Sequence, residues 1–356
     1  MLAGCARSVS TPLSPRISWP ARRKAYCAPK DSVPAPTRIQ PGYTVPMASI
    51  YILSPSSAVR DKASFQRGIK RLKTLGHSVE LDPAALASHM RFAGDDATRI
   101  AAIHRAAASG ADVVMTSRGG YGLTRILPGI NTKAVAKSIE RGSHWVGYSD
   151  FCALKFALLA QHGTITWAGP DVCDDFGTKY LSGTDAALTT PPDDIMEACF
   201  DDLVQGINEG AGWRMPKEPA KNLSIKNTTL WGGNLCVTTA LLGTPYMPQI
   251  DKGVLFFEDV AEHPYKVERM LTTWLHAGIL QRQRAIVLGQ FSDYQLFPAH
   301  DKGYKLQTVV DWLRTQTKVP VLIGLPFGHV PTKVCLPVGA KISLSTEGRD
   351  ALMFWG

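Results

Sequence analysis

Two rhythms of apolar and polar positions alternate along this chain after residue 46. Short apolar runs stand where buried strands belong: Ile50-Tyr51-Ile52-Leu53, Val79 to Leu81, Ala111 to Thr116, His144 to Tyr148 and Thr164 to Ala168. Between them the spacing widens to three and four, the helical period. Phe65, Ile69, Leu72 and Leu75 share one helical face, and Gly76 stops that helix. Asp95 and Asp96 open a second helix through Ile100, Ile103 and Ala107. Thr132 to Glu140 reads as a third, and Phe151 to Gln161 as a fourth. Strand and helix alternate throughout, which predicts a parallel sheet with helices on both faces.

The pattern weakens over residues 171–222, where Pro191-Pro192, Gly210, Gly212 and Pro216 interrupt it. This predicts a first α/β domain over 47–205, a linker over 206–222 and a second domain over 223–356. The second domain resumes with Leu230 to Leu235, then Val254-Leu255-Phe256-Phe257 ending in Glu258-Asp259. A helix with Val267, Met270, Leu271 and Trp274 on one face follows. Ala285 to Leu288 reads as a strand, Val309, Val310 and Leu313 mark a helix, and Val319 to Leu325 reads as a strand leading to Gly328-His329. Val334 to Val338, Ile342 to Leu344 and Ala351 to Phe354 read as closing β-structure, with a turn at Glu347-Gly348. No internal repeat is present.

Residues 1–46 have eight prolines and no apolar period. They read as a disordered, dispensable tail or a mis-assigned start ahead of Met47. The tail has seven basic residues and one acidic residue, so most of the net charge of +9 sits there. A nucleic-acid partner is therefore not expected. No apolar run reaches membrane-spanning length, so no membrane partner is expected either. The seven cysteines show no C-x-x-C spacing. They read as reduced thiols of a cytoplasmic protein rather than a disulfide frame or a zinc site.

Ser149 stands where the strand His144 to Tyr148 runs directly into a helix. A hydroxyl at such a turn is pushed outward, with first-turn N–H groups pointing at whatever it attacks. The same position also suits an ordinary N-cap serine. A nucleophilic serine needs a base and a group to orient it. His329 follows a buried strand and Gly328 in a short loop that returns into another strand, so it can be aimed, although a loop histidine with no catalytic task has the same pattern. Glu258 ends an apolar strand, where a carboxylate needs a partner. Capping of the next helix is the alternative, and Asp259 and Glu262 compete for the orienting role. The Gly119-Gly120-Tyr121-Gly122 turn exposes backbone N–H groups. It matches neither phosphate-loop pattern and reads as an oxyanion donor or a plain tight connection.

Five motifs together resemble one family. Arg118-Gly119-Gly120-Tyr121-Gly122 and Gly147-Tyr148-Ser149-Asp150-Phe151 are the first two. Leu230-Trp231-Gly232-Gly233-Asn234-Leu235 is the third. Phe257-Glu258-Asp259 with Glu262-His263-Pro264 and Val267-Glu268-Arg269-Met270-Leu271 is the fourth, and Gly328-His329 with Leu336-Pro337-Val338-Gly339 the fifth. In this order they resemble the LD-carboxypeptidases, serine peptidases that act on muropeptides, over residues 48–345. The resemblance implies a flavodoxin-like N-terminal domain, a smaller β-rich C-terminal domain and a site in the cleft between them, commonly in a homodimer. It also implies a triad of Ser149 as nucleophile, His329 as base and Glu258 as its orienter. Backbone N–H groups of Asp150 and of Gly119 or Gly120 would form the oxyanion hole. Arg118 and Asn234 are further candidates for holding polar groups of the substrate. Phe151 replaces the second glycine of the α/β-hydrolase elbow, so the turn is analogous to that elbow and sits on a different fold. The implied activity is removal of the terminal D-alanine from a muropeptide tetrapeptide in murein recycling, with no metal or organic cofactor. Hydrolysis of a peptide–nucleotide antibiotic for self-immunity is the alternative within the family. A non-catalytic binding protein is the alternative outside it.

Overall fold

The computed structural model describes residues 47–178, 192–217, 219 and 221–355, together with the backbone of two-residue strands at 26–27, 180–181 and 189–190. Its first sheet is built by the alternation that the sequence predicts. The strands are β1 (Ser49–Leu53), β2 (Ser78–Leu81), β3 (Val113–Thr116), β4 (His144–Val146) and β5 (Thr166–Ala168). They lie side by side in the order β2, β1, β3, β4, β5, all parallel, which is the flavodoxin-like arrangement. Helices Lys62–Thr74, Asp96–Ala108, Thr132–Glu140 and Cys152–His162 cross over between them. Each helix packs its apolar stripe inward, as Phe65, Ile69 and Leu72 do in the first.

A second, larger sheet of eight strands holds most of the others. Ser224–Asn234, Val254–Val260, Ala285–Ser292 and Val321–Ile323 run parallel and adjacent, covered by helices such as Pro264–His276 and Leu306–Gln316. Lys341–Glu347 and Asp350–Phe354 join antiparallel on the other side of Ser224–Asn234, hinged at the turn near Gly348. The central residues Val254 to Phe257 are fully buried, which accounts for their unbroken apolar run. Among the described residues no helix is long and apolar enough to cross a membrane.

Three segments depart from the pattern-based expectation. Gly210–Arg214, placed in the linker, is a strand of the larger sheet and pairs along its length with Asp350–Phe354. Its two glycines hide any alternation, and its partner lies at the far end of the chain. Leu336–Val338 leaves the second domain and pairs antiparallel with β5 at the edge of the first sheet. Tyr26–Cys27 runs parallel to Gly212–Trp213, so this pair is not part of an unstructured tail. The remainder of residues 1–46 lies outside the described residues.

Leu336–Val338 covers the edge of β5 that the first domain would otherwise present to solvent. A fragment spanning 47–205 is therefore expected to self-associate, as measured by light scattering. A monomeric fragment with a cooperative melt would show that this strand is dispensable.

Candidate active site

Strand β4 ends at Val146, and a tight 3₁₀ turn, Ser149–Phe151, leads straight into the helix Cys152–His162. Ser149 occupies the left-handed region with φ of +58°, a conformation that costs a non-glycine residue about 1 kcal/mol or more. No side chain caps this helix start, so the serine is not used as an N-cap. Its first-turn amide neighbour, Asp150 N–H, has no acceptor within the helix. The Asp150 carboxylate is buried and accepts a hydrogen bond from Leu123 N at 2.9 Å. Burial pushes its pKa up, while the hydrogen bonds to it act in the opposite direction. That contact ties the serine turn to the chain just beyond the glycine loop.

The glycine loop reaches the serine directly. A Cβ on Gly119 would stand 2.7 Å from Ser149 Cβ and 2.8 Å from its Oγ, and 3.6 Å from the Asp150 nitrogen. Only glycine permits this approach, and it brings the loop backbone beside both the hydroxyl and the Asp150 amide. Gly120 has φ of +108°, and the loop is held from behind by Ser57, whose hydroxyl accepts from Tyr121 N at 3.1 Å.

On the other sheet, Glu258 lies within the strand Val254–Val260 and is 0% exposed. Its Oε2 stands 2.7 Å from Nδ1 of His329. A hydrogen bond of this kind sets the tautomer: Nδ1–H donates to the carboxylate and Nε2 is left free as a base. The His329 loop is pressed onto the strand. A Cβ on Gly328 would lie 2.9 Å from the Gln290 carbonyl oxygen and 3.3 Å from Glu258 Cβ. Ser292 Oγ donates to the His329 carbonyl at 3.0 Å. The imidazole faces the Tyr148 ring, 4.8 Å between centroids, so the histidine adjoins the residue just before Ser149. Burial acts to lower the His329 pKa, but the charge and hydrogen bond of Glu258 outweigh it. The net shift is upward, with Lys333 opposing.

The competing carboxylates stand elsewhere. Asp259 accepts from Asn234 Nδ2 and from Cys236 N, each at 2.9 Å. Its pKa is raised to about 7 by burial and by the neighbouring Glu258. Glu262 pairs with Lys266 at 3.3 Å. Asn234 is buried, and both ends of its amide are engaged: Nδ2 by Asp259, and Oδ1 by Val237 N at the start of a short helix. Arg118 is half-buried and donates one long hydrogen bond, at 3.5 Å, to the Ala58 carbonyl.

The sequence reading missed a buried ion pair beside the site. Lys333 and Asp175 are each 1% exposed and in direct contact. The Lys333 ammonium sits 4.0 Å above the Tyr148 ring. The partners are 158 residues apart in the chain. Asp175 falls in the weakly patterned stretch after residue 171 and Lys333 just before the run Val334 to Val338, so no local signal marks them as a pair.

The sequence profile of the LD-carboxypeptidase N-terminal domain matches residues 50–169, and that of the C-terminal domain matches residues 227–344. A Synechocystis protein whose name gives it as a candidate carboxypeptidase is 30% identical, over 88% of this chain and 94% of its own. The crystal structure of a muramoyltetrapeptide carboxypeptidase from Oxalobacter formigenes aligns with a TM-score of 0.75 at 36% identity, covering 86% of this chain and 98% of that one. The microcin C7 self-immunity protein of Escherichia coli is 25% identical, over 67% of this chain and 72% of its own.

Two outcomes follow from the geometry. Gly119→Ala forces the loop away from Ser149 and is expected to lower kcat/KM on a peptide substrate about 100-fold. Wild-type turnover would show that the close approach is unnecessary. Lys333→Met tests the charges around His329, which are Glu258 and, at longer range, Asp259 on one strand, Lys333 on the histidine's own loop, and Asp174 with Asp175 opposite. The ammonium opposes the imidazolium, so its removal raises the His329 pKa. The acid limb of kcat/KM, which reports the base becoming neutral, should then move to higher pH. An unmoved limb in a folded variant would contradict this reading.

Proposed function

The chain belongs to the LD-carboxypeptidase family, and on that premise we propose that it is a serine carboxypeptidase releasing the terminal D-alanine from a muropeptide tetrapeptide in murein recycling. The observation that carries this reading is the 2.7 Å bond between His329 and a fully buried Glu258, with the imidazole set against the serine turn. Ser149, His329 and Glu258 act as nucleophile, base and orienter. His329 Nε2 takes the Ser149 proton as Oγ attacks the carbonyl carbon of the scissile bond. The Asp150 N–H and an N–H of the Gly119-Gly120 pair hold the oxyanion. The imidazolium, stabilised by Glu258, then gives its proton to the leaving amine and D-alanine departs. Water, deprotonated by the same histidine, hydrolyses the acyl-enzyme and restores Ser149. The reading places the protein in the cytoplasm as a homodimer, and five described cysteines that form no disulfide fit that compartment.

The self-immunity reading rests on the 25% identical E. coli relative. It calls for hydrolysis of a peptide–nucleotide instead, so both substrates belong in one assay.

The test is incubation with a tetrapeptide carrying meso-diaminopimelate, followed by mass analysis for loss of D-alanine. Ser149→Ala is expected to lower kcat at least about 1,000-fold, and Glu258→Gln roughly 10²- to 10⁴-fold through the wrong tautomer and the lost charge. An unchanged peptide mass with wild-type protein, or near-wild-type turnover in folded Ser149→Ala, would sink the proposal.

A further inference from the structure

The first sheet changes direction between β1 and β3: β2 lies on one side of β1, and β3, β4 and β5 follow on the other. In open parallel sheets the crevice at the carboxyl ends of the strands on either side of such a switch is the usual ligand position. A recess of about 600 Å³ occupies that place. Its walls come from the segment after β1, which brings Arg60, Asp61 and Arg67, from Arg118 after β3, and from Asp174 in the segment after β5. Three guanidinium groups face two carboxylates, leaving the recess with a positive balance.

The three arginines are not equally engaged. Arg67 donates to the Gly177 carbonyl at 2.8 Å and pairs with Asp61 at 3.7 Å. Arg60 reaches the Met90 carbonyl and Ser88. Arg118 donates one hydrogen bond, at 3.5 Å to Ala58, and its charge acts on the Asp174 carboxylate across the recess, which leaves most of a guanidinium's five donors without a hydrogen bond among the described residues. It is also the residue immediately before Gly119, whose backbone packs on Ser149. Unspent donors in a planar fork match a carboxylate, which can take two parallel hydrogen bonds.

We propose that this recess is a carboxylate subsite of the enzyme, in which Arg118 binds a free carboxylate of the peptide substrate. The inference rests on the peptidase reading for the identity of the anion. A tetrapeptide offers two sources, its C-terminal carboxylate and a carboxylate on the side chain of its third residue. The terminal one is the closer fit, because Arg118 adjoins the loop at the reacting serine and that carboxylate belongs to the residue being released.

The experiment measures binding by calorimetry to full-length Ser149→Ala and to Ser149→Ala/Arg118→Met. Three tetrapeptides are used: the parent with meso-diaminopimelate, its C-terminal carboxamide, and an analogue with lysine as third residue. The carboxamide is expected to bind Ser149→Ala about 10- to 100-fold more weakly than the parent, and the penalty should vanish when Arg118 is replaced. A penalty on the lysine peptide instead assigns the subsite to the side-chain carboxylate. Arg118→Lys, which keeps the charge and loses the fork, should retain part of the penalty and serves if the methionine variant does not fold. Equal binding of all three peptides, a penalty that persists without Arg118, or no binding at all would overturn the subsite. An Arg118-dependent penalty without hydrolysis by the wild type would sink the peptidase reading and leave the subsite standing. Hydrolysis without the penalty would do the reverse.

Discussion

A carboxylate with no solvent exposure is tolerable only where a donor meets it, and in this protein the donor is an imidazole. Glu258 lies inside a strand whose preceding four residues are all apolar, and His329 Nδ1 meets it at 2.7 Å. Removing either partner leaves a buried polar group without compensation, a loss of several kcal/mol in comparable pairs. The contact therefore does more than set the imidazole tautomer. It fixes the loop between Val321–Ile323 and Leu336–Val338, and these two strands belong to different sheets. The histidine loop is thus strung between the two halves of the molecule and clamped in the middle by Glu258. Lys333, four residues further on, is seized by Asp175 from the first half. With both ends and the middle held, the imidazole has little freedom to leave the Tyr148 ring beside the serine turn.

The electrostatics follow from that clamping. Burial alone would favour a neutral imidazole, and the Glu258 charge reverses the balance. A base raised in pKa in this way is stronger once neutral, and its protonated form is welcome during attack. The pair contributes to folding at acid pH and loses that contribution as pH rises through the raised His329 pKa. Lys333 restrains the shift, and its own charge is matched by Asp175, so the site gains a moderating cation without an unpaired buried charge. Asp259, next to Glu258, would add a second negative charge. Its donors from Asn234 and Cys236 hold its carboxylate away from the histidine, and burial beside Glu258 lifts its pKa to about 7.

How much of this was legible in the sequence depends on how local each signal is. Strand β4, the helix behind it and the helix Thr132–Glu140 are set by apolar period and caps within a dozen residues, and they stand where the pattern puts them. Glu258 and His329 were visible as polar residues ending apolar strands, but their mutual contact spans 71 residues and only the fold brings it about. Lys333 with Asp175 and Gly210–Arg214 with Asp350–Phe354 had no such flag. Ala351 to Phe354 read as a strand, but nothing near Gly210–Arg214, Asp175 or Lys333 named a partner, and each pairing is a product of topology. Leu336–Val338 was legible as a strand and illegible as a member of the first sheet, because apolar alternation says which residues are buried and nothing about which sheet buries them.

The same division bears on specificity. The serine turn, the glycine loop and the Glu258–His329 pair rest on strands and tight turns whose geometry admits little change: a Cβ on Gly119 would already stand 2.7 Å from Ser149 Cβ. Proteins similar to this chain are named for different substrates, a muramoyltetrapeptide in one case and immunity to microcin C7 in another. On the reading proposed above, a reacting centre this constrained leaves selection to other side chains. Selection must fall to side chains on the connecting segments at the carboxyl ends of the strands, where substitutions alter contacts without moving the scaffold. Arg60, Arg67 and Arg118 stand on those segments, around the recess where the strand order reverses. What the two sheets hold still determines the chemistry, and what their loops present determines what it is applied to.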